Sequence, residues 1–263
     1  MIKNYKLKKE NYNFWVSRLK NKERKVCSTD PNLDLLEEDQ IIKRIKNNKT
    51  ILEIGSGNGI LLKRLIKNKK IKKYLGTDFV KELVDISNKK FKKKKNINFS
   101  QIDMTLINKK TFDTKFDYIV SKRAVQNVLN QNLQLKTIDN LGHHLKKRGL
   151  MILVESSSLA QKNINKLRKK YNLHKIIPPF HNLFLDDNKL IKYKFKNLKL
   201  LKIDNFSSNF YFITRIIYKL YAKNFLRKDT DYKNYLNFIA LMIKDDLLKI
   251  DLSQIKTFLF IKK

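Results

Sequence analysis

The chain has 263 residues, 42% of them hydrophobic and 11% aromatic, enough to bury the core of one large domain or two small ones. Its formal charge is +35, and a lone cysteine, Cys27, excludes an internal disulfide, a cysteine-rich zinc site and a cysteine-ligated iron–sulfur cluster. No apolar run is long enough for a membrane span, and the start MIKNYKLKKENYNFW lacks the apolar stretch of a secretory signal, so a reducing cytoplasm is the expected compartment.

In chain order, the first expected element is a helix over 35–47, with Ile41, Ile42 and Ile45 on one face and acids in its first turn. An apolar strand follows at 50–54, then three glycines within five residues, then a helix over 60–66. Strand 73–77, helix 80–91, strands 97–101 and 117–120, helix 133–145 and strand 150–154 complete the first half. Strands alternating with helices imply right-handed crossovers and a parallel sheet covered on both faces. Ligands of such a doubly wound α/β sheet sit at the carboxyl ends of the strands. Beyond Glu155 the alternation stops. A helix over 161–171, a two-proline loop IIPPFHNLFLDD, a strand over 198–206, helices over 212–223 and 232–250, and a strand over 257–262 follow.

The stretch 51–62, ILEIGSGNGILL, is the chemical centre of the sequence. Glycines between a strand and a helix let a ligand touch backbone N–H groups. Gly55, Gly57 and Gly59 give G-x-G-x-G, with Ile60 where the nicotinamide fingerprint has its third glycine, and no G-K-[ST] of a P-loop follows. Glu53 is an acid inside an apolar strand, costly unless a cation or a hydrogen-bond donor meets it. Asp78 closes YLGTD at the second strand tip, where an acid suits the hydroxyls of a ribose. Asp103 closes INFSQID at the third, where a carboxylate suits an exocyclic amine. Taken singly, each has a plain structural reading: a tight turn, a helix cap, a loop residue.

Together the stretches ILEIGSGNG, YLGTDFV, INFSQIDM, FDYIVSKRAV and LKKRGLMILVE resemble the class I S-adenosylmethionine-dependent methyltransferases in order and spacing. The resemblance implies a Rossmann-like seven-stranded sheet, mostly parallel with an antiparallel last strand, plus helical cap insertions. It implies S-adenosylmethionine as cofactor, held by Glu53, Gly55, Ser56, Gly57, Asn58, Gly59, Asp78, Phe79, Asp103, Met104 and Ser121. The expected organisation is an N-terminal segment over 1–34 closing on the cofactor, a cofactor-binding core over 35–160, and an acceptor cap with the terminal strands over 161–263. Trp15 and Arg18 fall in the closing segment. The turn Lys147–Arg148–Gly149 departs from the Pro-Gly-Gly common in the family, away from the chemistry.

The lysines bear on the acceptor. The basic runs over 67–73, 88–95, 108–115 and 146–148 all precede strands, so they fall on the sheet edge opposite the cofactor. A nucleic-acid substrate needs positive charge beside the reacting methyl group, so this placement weighs against RNA or DNA. Lysine supplies most of the 59 basic residues beside abundant Asn and Ile, as A/T-rich coding would also produce. Nucleobase-methylating signatures are missing: SKRAVQN stands where an Asn/Asp-Pro-Pro-aromatic element belongs, and IPPF at 177–180 follows the fifth strand instead.

SKRAVQNVLN, INKLRKKYNL, PPFHNLFLDD and FSSNFYFITRIIY are similar to stretches of bacterial small-molecule methyltransferases, some tied to surface-sugar pathways. That similarity implies a small-molecule acceptor bordered by Arg123, Asn127, His181, Asn182 and Tyr211, with methyl transfer to O or N. His181 is the candidate general base and Glu155 the lesser one. No metal is expected. The competing readings are an RNA methyltransferase and a non-catalytic protein that keeps the cofactor fold.

Overall fold

The computed structural model describes residues 2–20, 26, 28–227, 229–243 and 250–263, with side chains from residue 7 onward. Cys27 and part of the expected helix 232–250 lie outside the described residues. Seven strands form one sheet: β1 (Lys49–Ile54), β2 (Ile71–Asp78), β3 (Ile97–Gln101), β4 (Phe116–Lys122), β5 (Leu145–Ser156), β6 (Leu198–Asp204) and β7 (Ile255–Lys262). Their order is β3-β2-β1-β4-β5-β7-β6. The first five are parallel, and β7 runs antiparallel to both β5 and β6. This is the doubly wound, mostly parallel seven-stranded sheet expected from the sequence. The order reverses between β1 and β4, which makes their tips the topological switch point.

Alternation along the strands divides the core. Ile51 of β1 joins Tyr74, Val120, Ile152 and Val154 on one face. Leu52 and Ile54 join Ile119, Met151 and Leu153 on the other. Helix α1 (Ile2–Ser17) precedes α2 (Pro31–Ile42). The crossovers are α3 (Ile60–Asn68), α4 (Lys81–Phe91) and α5 (Gln131–Leu141). Helix α2 begins four residues earlier than its apolar spacing suggests, because Asp30 caps it and Pro31 fills the first turn. The Asp30 carboxylate accepts from the Leu33 N–H at 3.2 Å. Ile45, expected on the helix, is buried just beyond its end.

Helix α6 (Ser158–Lys170) opens the second half, and a short α7 (Asp187–Lys192) follows the proline loop. Between β6 and β7, α8 (Ser208–Phe212) passes through a π-helical turn (Ile213–Ile217) into α9 (Tyr218–Phe225), and α10 (Tyr235–Met242) comes next. The expected helix 212–223 is thus longer and carries a π turn at Arg215. Among the described residues no helix is long and apolar enough to cross a membrane.

Candidate functional site

At the end of β1 the chain turns sharply. Gly55, Gly57 and Gly59 all take left-handed backbone angles, with φ of 66°, 54° and 73°. A side chain at Gly55 would also collide, since its Cβ would lie 2.2 Å from that of Ala124. The turn is tied to β2. Gly57 N–H donates to one Asp78 carboxylate oxygen at 2.9 Å, and Val80 N–H donates to the other at 3.0 Å. Burial pushes the Asp78 carboxyl up, and these backbone donors pull it back.

Glu53 answers its own burial differently. Alternation turns it to the face of Tyr74, whose hydroxyl donates to its carboxylate. Burial pushes Glu53 up to about 8, so the acid stands neutral at pH 7. Ser121, at the tip of β4, donates to Glu155 at 2.7 Å. Glu155 also accepts backbone N–H groups of Ala124, Val125 and Gln126 at 3.1, 3.0 and 3.2 Å. These contacts make Glu155 an anchor for the turn after β4, with both oxygens engaged, and not an available base.

A cavity of about 430 Å³ opens over the tips of β1, β2 and β4. Gly55, Gly57, Asp78, Phe79 and Met104 form its floor at the strand tips. Arg123, Asn127, His181 and Asn182 also line it. An adjoining cavity of about 270 Å³ shares Phe79, Met104 and Asn127 and adds Asp103, Val128 and Leu133. Glu53, Ser56, Asn58, Gly59, Ser121 and Tyr211 line neither cavity. Tyr211 is buried instead beneath the Arg215 guanidinium, 5.4 Å from its ring centre.

Both cavities are lined by residues of α1, which belongs to the N-terminal segment expected to close on the cofactor. Lys8 pairs with Asp103, Tyr12 donates to Glu82 at 2.6 Å, and Asn11 donates to the Asn127 carbonyl at 3.2 Å. Phe14, Trp15 and Arg18 face the larger cavity. The Phe14 ring stacks on His181 with centroids 4.0 Å apart, and Trp15 meets it edge-on at 5.5 Å. Burial first, and the nearby Arg18 cation second, push His181 down to about 4. The imidazole is therefore neutral at pH 7. Its Nδ1 is buried without a hydrogen-bond partner among the described residues, and so are Oδ1 of Asn182 and Oδ1 of Asn127.

The basic wall is equally organised. Arg123 holds a left-handed φ of 54°, and its guanidinium pairs with Asp34 at 2.7 Å and Glu37 at 3.0 Å. Lys122 reaches Asp34 at 2.9 Å and Glu38 at 3.2 Å. Burial raises Glu37 to about 7 against the pull of Arg123 and Lys122. The acids of α2, read from the sequence as a helix-dipole feature, are buried partners of this wall. Among the described residues, no group of three His, Cys, Asp or Glu is placed to hold a metal ion.

A glycine turn under a parallel switch point, an acid at each of the next two strand tips and an antiparallel last strand define a class I S-adenosylmethionine-dependent methyltransferase fold. The methyltransferase-domain family model matches residues 45–211, and the chain belongs to that family. It is an S-adenosylmethionine-dependent methyltransferase. No curated protein sequence matches it. Among solved structures, it is similar to the N-methyltransferase NodS of Bradyrhizobium japonicum in complex with S-adenosylhomocysteine. That pair shares 10% identity over 96% of this chain and 98% of NodS, with a TM-score of 0.58. Phosphoethanolamine N-methyltransferase 1 of Haemonchus contortus gives a TM-score of 0.61 at 14% identity, over 98% of this chain and 49% of the larger enzyme. A TehB-like methyltransferase of Corynebacterium glutamicum gives 0.51 at 16% identity, over 87% of this chain and 88% of that one.

Proposed function

We propose that the chain transfers a methyl group from S-adenosylmethionine to an amine nitrogen of a small molecule. The residues at the strand tips fit the cofactor. Asp78 keeps lone pairs for ribose hydroxyls beyond its backbone contacts, Phe79 and Met104 offer apolar walls for a base, and Gly57 brings bare backbone to the cavity. In this reading Asp103 releases Lys8 to take the adenine amine. Bound there, S-adenosylmethionine would supply an activated sulfonium methyl group.

The observation that carries the acceptor class is the trio of partnerless buried atoms, Nδ1 of His181 and Oδ1 of Asn182 and Asn127, on residues that line the cavity. Each of them can accept a hydrogen bond, so together they suit a group rich in N–H. The rings of Phe14 and Trp15 complete a partly aromatic box beside them. An amine attacks only as the free base. Burial, with the Arg18 cation on the cavity lining, disfavours the ammonium form, leaving the nitrogen lone pair free. His181 and Asn182 would accept the amine N–H bonds and aim that lone pair, while Phe14 and Trp15 exclude water. His181 acts as a neutral acceptor, and water takes the product proton. The NodS and phosphoethanolamine enzymes, both named as N-methyltransferases, support the reading by analogy.

The test is transfer of labelled methyl from S-adenosylmethionine to matched panels of small amines and of alcohols or sugars bearing the same carbon skeletons. Label entering amines supports the proposal. Label entering only the hydroxyl panel, including sugars of the surface-polysaccharide type, would overturn it in favour of O-methylation.

A further inference from the structure

Helix α10 turns its apolar side outward. Asn237 and Ala240 are buried, whereas Tyr235, Phe238, Ile239 and Met242, spaced i, i+3, i+4 and i+7, are exposed. Tyr235 is 89% exposed and Met242 66%. Helix α9 repeats the pattern: Tyr221 and Phe225, one turn apart, stack on each other at 5.6 Å in the open, with Phe225 76% exposed. Single exposed apolar residues need no account, but two consecutive helices with outward stripes do.

The surroundings say what covers them. Residues 156–185 contain no Asp or Glu against six Lys and Arg. The basic end of α6 abuts α9, because Lys223 donates to the Asn172 carbonyl at 3.1 Å and Arg168 donates to the Arg215 carbonyl. Lys223, Arg227 and Lys233 are exposed around the stripes. The acids between the helices, Asp229 and Asp231, are both engaged by Lys219. An apolar strip set among cations is the composition of an interfacial helix on an anionic bilayer.

We propose that the face formed by α9, α10 and the end of α6 seats the protein on an anionic lipid surface. Phe225, Tyr235, Phe238 and Met242 enter the head-group layer, and the surrounding lysines meet lipid phosphates. A second copy fits less well, since two chains of charge +35 would meet through like-charged faces. A nucleic acid would satisfy the lysines and leave Ile239 and Met242 in water.

The experiment is co-sedimentation of the full chain with vesicles of phosphatidylcholine alone or mixed with phosphatidylglycerol, at low and high salt. Wild type is compared with a Phe225→Ser, Phe238→Ser double variant whose melting curve shows it folded. The expected result is binding to the anionic vesicles, weakened by salt and reduced at least about tenfold in the double variant. Equal partition onto both vesicle types would overturn the proposal. So would undiminished binding by the folded double variant, because the lysine-rich sheet edge would then carry the contact. Light scattering that shows a dimer lost in the double variant would assign the face to a second copy and likewise overturn it. Single-stranded RNA bound by wild type and not by the double variant would do the same in favour of nucleic acid.

Discussion

Glu53→Gln isolates the electrostatic cost of placing an acid in the central strand. The substitution keeps the side chain's size and leaves an oxygen to accept from the Tyr74 hydroxyl. In the folded chain burial lifts the Glu53 carboxyl to about 8, against an ordinary glutamate value of 4.5. Between those two pH values the unfolded chain gives up the proton and the folded chain keeps it. Wild-type stability therefore falls as pH rises through that window, and the loss is complete above the folded value. At about 1.4 kcal/mol per pH unit, the cost is on the order of 3 kcal/mol at pH 7 and at most about 5 kcal/mol above pH 8. The neutral amide of the variant carries no such cost. The variant should match wild type near pH 5 and overtake it progressively toward pH 9. Urea unfolding of both proteins across that range reads the difference directly, and the other titrating groups, Glu37 among them, cancel between the two. A stability difference that stays flat with pH would show Glu53 ionised throughout and refute the reasoning.

Four further outcomes follow from the same geometry. Gly55→Ala combines a left-handed φ with a 2.2 Å approach to Ala124, so it should lower stability by on the order of 3 kcal/mol in chemical unfolding. Trp15 is the sole tryptophan and stands on the cavity wall, so its emission should change on titration with S-adenosylhomocysteine. By that readout Asp78→Ala should bind at least about tenfold more weakly, and unchanged affinity in a folded variant would remove Asp78 from the cofactor contacts. His181 is held near 4 and stays neutral above it, so the pH dependence of kcat should show no histidine limb between about 6 and 7. An inflection there that disappears in His181→Asn would contradict the neutral-acceptor role.

The parallel half of the fold is legible in the sequence because each signal is local. Apolar runs of strand length, helices of 3.6 periodicity and a three-glycine turn need no knowledge of distant residues, and β3 falls on its expected residues 97–101. The start of α2 is equally local, written in Asp30–Pro31, but the apolar spacing further on masks it. Helix α1 is different in kind. Its lysine- and asparagine-rich sequence has no clear apolar stripe, and what fixes it are contacts to Asp103, Glu82 and Asn127, some 70 to 116 residues away. Long-range pairing also decides the acids. Glu53, Ser121 and Glu155 read alike as polar residues near strand tips, yet the partners chosen, Tyr74 for Glu53 and Ser121 for Glu155, turn them into the sheet and leave Asp78 on the wall. The glycines and Asp78 can be placed because the strand tips place them. Phe14 and Trp15 reach the cavity from outside the sheet, and only packing brings them to His181.

One helix joins these parts. The acids of α2 neutralise the cavity's basic wall through Asp34, Glu37 and Glu38, while its cap residue Asp30 takes the Arg215 guanidinium at 3.0 Å. Arg215 lies in the π turn between β6 and β7, stacked over Tyr211 and Tyr232 at 5.4 and 4.9 Å. Four acids from one segment thus fix two cations at the tip of β4 and one in the second half of the chain. Such buried pairs add little net stability over apolar packing, but removing one partner strands a charge at several kcal/mol. That asymmetry favours a single arrangement of the wall. It accompanies a left-handed backbone at Arg123, uncommon for a non-glycine residue, with its guanidinium turned toward α2. The basic wall of the cavity is therefore set by α2 before any ligand arrives, and if this wall borders the acceptor as proposed, that is the preorganisation that methyl transfer by alignment requires.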